Sequence, residues 1–193
     1  MAAPIELETA RLRMRVWREA DRAPFAAMNR DPEVMRYFPA PIDAARSDAS
    51  IDAWLGQFAA QGWSNWALER KDDGAFLGFV GLSVPARRFP FSPCVEVGWR
   101  LAREHWHRGY ASEAAKVALR AGFEQIGLDE IVSMTALANA PSRAVMERIG
   151  LENRHADFDH PGIPSGHPLC RHCLYAIDRA TWRARLAPAD AAD

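Results

Sequence analysis

Residues Val95 to Ala114 read V-E-V-G-W-R-L-A-R-E-H-W-H-R-G-Y-A-S-E-A. Val95 to Leu101 has the character of a strand, His105 to Gly109 breaks it, and a helical pattern follows at once from about Ala111 to Ile126. The first-turn N–H groups of such a helix have no partner within it and point out of its end, where the helix dipole also favours negative charge. A junction of this kind is suited to an anion. Gly109 leaves room for a phosphate to approach the backbone, and Arg108 and the Ser112 hydroxyl can add contacts. On this segment alone, a helix start whose glycine only makes the turn is the competing reading.

Working outward, Ala111, Ala115, Ala118 and Gly122 form a stripe of small side chains that lets the helix sit close against a sheet, and Gly127 ends it. Ile131 to Leu137 is a further strand, Ser142 to Ile149 a helix stopped by Gly150, and Cys173 to Ile177 a last strand after a long irregular loop. A strand–helix–strand crossover of that length implies parallel strands.

On the N-terminal side, Leu12 to Val16 alternates apolar and basic residues, the period of a strand with one buried face. Asp21 is placed to cap a short helix towards Asn29, and Asp31 followed by Pro32 signals a second short helix. Ile51, Trp54, Leu55 and Phe58 mark an amphipathic helix that stops at Gly62. Trp66 to Arg70 and Phe76 to Leu82 then read as a hairpin about Lys71, Asp72, Asp73 and Gly74. The fold class is α/β, or mixed α+β, in one domain. The Ala, Pro and Asp tail from Ala187 onwards is expected to be disordered.

The 193 residues, 49% of them hydrophobic, suffice for one core. A formal net charge of −1 provides no basic field for nucleic acid. No apolar run approaches the roughly 20 residues needed to cross a bilayer, and Met1 to Glu8 shows no signal pattern, so a cytoplasmic protein is expected. The three cysteines, Cys94, Cys170 and Cys173, suit a reducing compartment without disulfides. Cys170 and Cys173, with His155, His160, His167 and His172 nearby, invite a zinc reading. A single C-x-x-C pair is weak support, and Cys173 and His172 would face opposite sides of a strand, so no metal is expected. The tryptophans, Trp54, Trp63 and Trp66 among them, are expected in the core or lining a pocket.

With these residues in view, Trp106 to Ala114 resembles the acyl-CoA pyrophosphate loop of the GNAT superfamily of N-acetyltransferases. The general pattern there is Gln or Arg, two residues, Gly, one residue, then Gly or Ala. Trp106 stands at its first position, with Gly109 and Ala111 at the later ones. The tryptophan resembles the branch of ribosomal-protein alanine and serine N-terminal acetyltransferases, although His107 replaces a glycine often found there. E-T-A-R-L-R-M-R at Glu8 to Arg15, M-N-R-D-P-E-V-M-R-Y-F at Met28 to Phe38 and N-A-P-S-R-A-V-M-E-R-I-G-L at Asn139 to Leu151 resemble the same branch in the same order. The likeness therefore covers nearly the whole chain.

The resemblance implies a GNAT-type fold over residues 1–186, with a mixed central sheet, splayed parallel strands and flanking helices. It implies acetyl-CoA as cosubstrate and an amine acceptor, either a protein N-terminus or a small molecule. Arg108, Gly109, Tyr110, Ala111 and Ser112 would hold the phosphates. The pantetheine arm would pair with backbone groups of Trp99 and Leu101, as an added strand does. Asn139 would hold the arm from the other side, and for it a helix cap is the alternative.

The tyrosine that serves as acid in much of the superfamily is replaced by Met146, which leaves Ser142 as the nearest donor to the thiol or thioester. A capping or exposed serine is the alternative there. Glu96 lies among apolar neighbours and is the candidate base, against an ordinary solvent-facing strand glutamate. Transfer of another acyl group, and a CoA-binding sensor without catalysis, stay open at this stage, as does a homodimer.

Overall fold

The computed structural model describes residues 3–185, so the tail expected from Ala187 onwards, and the end of the domain at 186, lie outside the described residues. The strands are β1 (Leu7–Glu8), β2 (Leu12–Arg15), β3 (Asn65–Arg70), β4 (Phe76–Ser83), β5 (Glu96–Leu101), β6 (Glu130–Ala136), β7 (Glu152–Asn153), β8 (Phe158–Asp159) and β9 (Arg171–Asp178). The helices are α1 (Arg22–Arg30), α2 (Ala44–Gln61), α3 (Tyr110–Ala121), α4 (Ala140–Arg148) and α5 (Arg179–Arg185). One mixed sheet runs β1-β2-β3-β4-β5-β6-β9-β7, with β8 also on β9. Its pairings are antiparallel except β5 with β6. The expected α/β architecture and parallel crossover are therefore present.

The small-residue stripe has the packing expected of it. Ala115 and Ala118 are wholly buried against the sheet, and a Cβ on Gly122 would lie 2.6 Å from Ile131 Cδ1. Beyond Ala121 the helix widens into a π-turn over Gly122–Ile126 before Gly127 turns the chain at φ 82°. On the opposite face, α1 and α2 cover the first half of the sheet with an aromatic layer. Trp17 packs edge-on to Phe25 at 4.9 Å, and Trp54 meets Phe79 at 4.8 Å. Trp63 and Trp66 are buried.

Several details differ from the reading of the sequence. Asp31-Pro32 starts turns rather than a helix. Met35 N–H bonds to the Asp31 carbonyl and Phe38 N–H to Met35, and Pro39 and Pro41 then lack the N–H groups to carry a helix on. Asp21 precedes α1 without capping it. Its carboxylate is buried and takes two hydrogen bonds from Arg15, at 2.7 and 2.8 Å, together with Arg18 N–H. Arg15 also bonds Glu69, so a buried ion network claims the side chain that would have capped the helix. The loop before the last strand carries the two short strands β7 and β8, and β1 and α5 had no clear signal of their own.

Gly78 in β4 has φ +133°, and a Cβ there would collide with the Arg100 carbonyl of β5. Gly78→Ala is therefore expected to destabilise the fold by more than about 2 kcal/mol. Urea unfolding of the two proteins checks it, and a loss below about 0.5 kcal/mol contradicts the close approach.

Candidate active site

Gly109 adopts φ 79° immediately before α3, a left-handed conformation that glycine takes without strain, and it aims the first-turn N–H groups of the helix outward. Arg108 is exposed beside it, while Tyr110 is buried. Ser112 departs from expectation. It is buried, and its hydroxyl accepts a hydrogen bond from Arg148 of α4 at 3.2 Å.

Sequence reasoning missed Arg11. Its guanidinium lies 4.6 Å from the Tyr110 ring centre, and Glu113 binds both Arg11 Nε at 2.7 Å and the Thr9 hydroxyl at 2.5 Å. The turn between β1 and β2 is thereby fastened to the first turn of α3. Only the resemblance of Glu8 to Arg15 pointed to this segment, because no local spacing links residues a hundred positions apart.

The strands β5 and β6 share one paired position, Glu96 with Val132, next to the bond from Val132 N–H to the Val95 carbonyl. Beyond it they diverge. Ala102 N–H bonds Leu77 of the β4 side, so by strand alternation the backbone groups of Val97, Trp99 and Leu101 turn towards the gap. The Trp106 indole N–H takes the Leu101 carbonyl at 2.8 Å, which leaves the Trp99 groups and the Leu101 N–H facing the opening. These groups and the α3 end fit a ligand that has an amide-bearing arm and a phosphate group.

Across the gap, Asn139 is the N-cap of α4, accepting from Ser142 N–H at 3.3 Å. Its amide donates to the Thr135 hydroxyl at 2.8 Å and to Ser142 Oγ at 3.1 Å. The helix-cap role is therefore real, and the carbonyl of Asn139 keeps one lone pair for a further donor. Met146 is buried in the core.

Glu96 does not face open solvent. It shares a face of the sheet with Ser83, Gly98, Arg100 and Val132, and burial pushes its carboxyl up to about 7, opposed in part by the Met134 N–H. A Cβ on Gly98 would meet nothing within 4 Å, so open space lies over β5 between Glu96 and Arg100. Aromatic rings stand beyond Val132. Phe89 and Phe91 stack at 5.5 Å, Phe158 meets Phe91 edge-on at 5.1 Å, and His160 lies 4.8 Å from His172. Burial lowers the pKa of both histidines.

Arg100 is the second residue that sequence reasoning missed. A basic residue four positions after a glutamate, hence on the same face of an apolar strand, was the available signal. Cys173 and His172 do lie on opposite faces of β9. Cys173 Sγ points at the Thr135 carbonyl in the core, and His172 contacts Phe158. Among the described residues no three His, Cys, Asp or Glu side chains are grouped to hold a metal ion.

Residues 11–152 match the family model described as "Acetyltransferase (GNAT) domain", and the chain belongs to this family. It is 31% identical to the FsC-acetyl coenzyme A-N(2)-transacetylase of Aspergillus fumigatus, over 91% of this chain and 77% of that protein. A GNAT-family acetyltransferase from Bacillus anthracis superposes with a TM-score of 0.75 at 24% identity, covering 91% of this chain and 99% of that one. The ribosomal-protein-S5-alanine acetyltransferase of Vibrio fischeri superposes with a TM-score of 0.73 at 17% identity, covering 92% and 98%. The protein is thus an acyl-CoA-dependent N-acetyltransferase, and acetyl-CoA is the cosubstrate of its family.

The raised pKa of Glu96 has a consequence for stability. Between the ordinary value of 4.5 and about 7 the folded chain holds a proton that the unfolded chain releases, so this contribution is present below 4.5 and lost as pH rises through about 7. Glu96→Gln is expected to flatten the fall in melting temperature across that window. Melting curves from pH 4.5 to 8 check it, and parallel profiles for the two proteins contradict the buried-carboxyl assignment.

Proposed function

We propose that the chain transfers the acetyl group of acetyl-CoA to the α-amine of its acceptor by direct attack, with Glu96 as general base. The single observation that carries the reading is the position of Glu96 at the last paired residue before the splay, with its carboxyl raised to about 7. A base of that strength is about half ionised at neutral pH. An α-amine, with a pKa of about 7.7 to 8.0, is roughly a tenth neutral at pH 7, whereas a lysine amine is neutral in about one molecule in two thousand. One carboxylate acting directly or through water suffices for the former.

In the step itself the amine nitrogen forms the new bond to the acetyl carbon while the carbon–sulfur bond breaks. Glu96 takes the amine proton. Backbone N–H groups in the gap steady the developing oxyanion. The Ser142 hydroxyl receives a hydrogen bond from Asn139, which leaves its own O–H free to hydrogen-bond the departing thiolate. Arg108, Gly109, Tyr110, Ala111 and Ser112 are assigned to the phosphates, Trp99, Leu101 and Asn139 to the pantetheine arm. Ser112 would act here through its N–H rather than its hydroxyl.

Two acceptors of this chemistry are a protein N-terminus and a small molecule bearing an α-amine. The printed name of the Aspergillus relative, an N(2)-transacetylase 31% identical to this chain, supports the second. The fold likeness to the Vibrio alanine acetyltransferase bears on the first through the fold alone.

Two measurements test this reading. At 100 times its dissociation constant, acetyl-CoA should stabilise the protein by about 2.7 kcal/mol. Gly109→Asp should abolish that gain while the apo protein stays folded, since aspartate tolerates the left-handed conformation but places charge against the phosphates. Equal stabilisation of both proteins argues against the cradle. Glu96→Gln should lower kcat by roughly 100-fold, change the acidic limb of the pH–rate profile and leave acetyl-CoA binding intact. Thiol release with a panel of peptides and small amines reads this, and unchanged kcat in the mutant rules Glu96 out as base.

A further inference from the structure

Two arginines of this chain, Arg15 buried and Arg100 half-buried, are treated in opposite ways. Arg15 is matched by two carboxylates, Asp21 and Glu69, at 2.7 Å each. Arg100 has no ion-pair partner among the described residues. Its Nη1 donates to Asn29 Oδ1 at 2.6 Å, and its Nε is shut off from solvent without any hydrogen-bond partner. A half-buried guanidinium without a counter-charge is partly desolvated at a cost, which lowers its pKa to about 10, so it remains charged at neutral pH.

The side chain is nonetheless firmly built in. Asn29, at the end of α1, is held in turn by the Ser47 hydroxyl of α2 at 2.9 Å, so two helices fix the tip of Arg100. The guanidinium lies 4.3 Å from the Phe38 ring centre and 5.6 Å from that of Phe79. Phe38 itself is 39% exposed, a large apolar ring at the surface beside this charge. Nη2 has no protein acceptor and, unlike Nε, is not shut off from solvent, so it is the nitrogen left to donate a charge-assisted hydrogen bond to a carboxylate. The open space over Gly98 lies on the same face, between Arg100 and Glu96.

We propose that Arg100 recognises a carboxylate carried by the acceptor, so that the preferred substrates are amines with a negative charge at about the distance of a di- or tripeptide. The inference rests on the reading of this face as the acceptor site. The spacing follows from the strand. Arg100 lies four positions after Glu96, about 13 Å between Cα atoms, on the same face of β5. Arg100 is a specificity residue in this scheme, distinct from the base at Glu96.

Alanyl-alanine, its C-terminal amide and alanyl-aspartate amide are suitable probes. The first carries the carboxylate at the peptide end, the second has none, and the third carries it on a side chain, as in a longer chain with an acidic residue near its N-terminus. Thiol release with acetyl-CoA is measured for each. In parallel, calorimetry with CoA present measures binding of the N-acetylated forms, a readout that does not need turnover. Either carboxylate-bearing probe should exceed the amide by about tenfold or more in kcat/KM, through KM, and in product affinity, the scale of one charge-assisted bond. Arg100→Gln should erase that preference, and Arg100→Lys should restore part of it. Stabilisation by acetyl-CoA reports that both variants fold.

Preferential binding of the acidic products without turnover would support the Arg100 assignment and refute the catalytic reading. Turnover that treats acid and amide alike would overturn the assignment and leave the acetyltransfer reading standing. Failure of every probe to bind or react also overturns the assignment.

Discussion

The site depends on one break in an otherwise continuous sheet. Strand β5 is paired with β4 along its whole length, from Glu96 to Leu101, and β6 with β9 from Glu130 to Ala136. Between them the ladder holds at Glu96 and Val132 alone. Each of the two central strands is therefore held rigidly on its outer side while its inner side is left open. Backbone groups inside a sheet are costly to leave unpaired, so the opening acts as a receptor edge that an extended, amide-bearing ligand can complete. A more regular sheet would be more stable and would have no place for such a ligand.

The surrounding elements fix where this opening begins and what stands beside it. The crossover from β5 to β6 brings the N-terminal end of α3 to the mouth of the gap, with Gly109 turning the chain and Glu113 fastening the Thr9–Arg11 turn alongside. Trp106 closes the carbonyl of Leu101, so that the free backbone groups lie deeper along β5. On the far side, Asn139 ties the end of β6 to the start of α4 through Thr135 and Ser142. The groups proposed for the phosphates and the arm thus sit on rigid elements.

The opposite face of β5 carries the groups assigned to the acceptor. Glu96 and Arg100 are both half-buried ionisable residues without a salt-bridge partner among the described residues, and desolvation moves both towards neutrality, one upward and one downward. The Arg15, Asp21 and Glu69 network shows what this protein does with buried charge that serves structure alone: it neutralises it at hydrogen-bonding distance. The aromatic wall of Phe89, Phe91 and Phe158 packs with Val132 on the same face.

Local pattern in the sequence determined the strand-turn-helix junction at Val95 to Ala114, the small-residue face of α3, the hairpin of β3 and β4, and the parallel crossover. Those features rest on periodicity, on glycine's freedom at positive φ and on the length of connections, all of which act between near neighbours. The same local pattern singled out Gly109 and Glu96, and the resemblance of its motifs supplied the family and the position of Asn139. Only the tertiary structure decided that Glu96 is half-buried and partly desolvated, that Asp21 is drawn into an ion pair instead of capping α1, and that the Ser112 hydroxyl is turned to Arg148. It alone brought Arg11 to Tyr110, and Asn29 and Phe38 to Arg100. Burial and charge pairing are set by groups many tens of residues apart, and their energies exist only once the chain has folded and excluded water from between them.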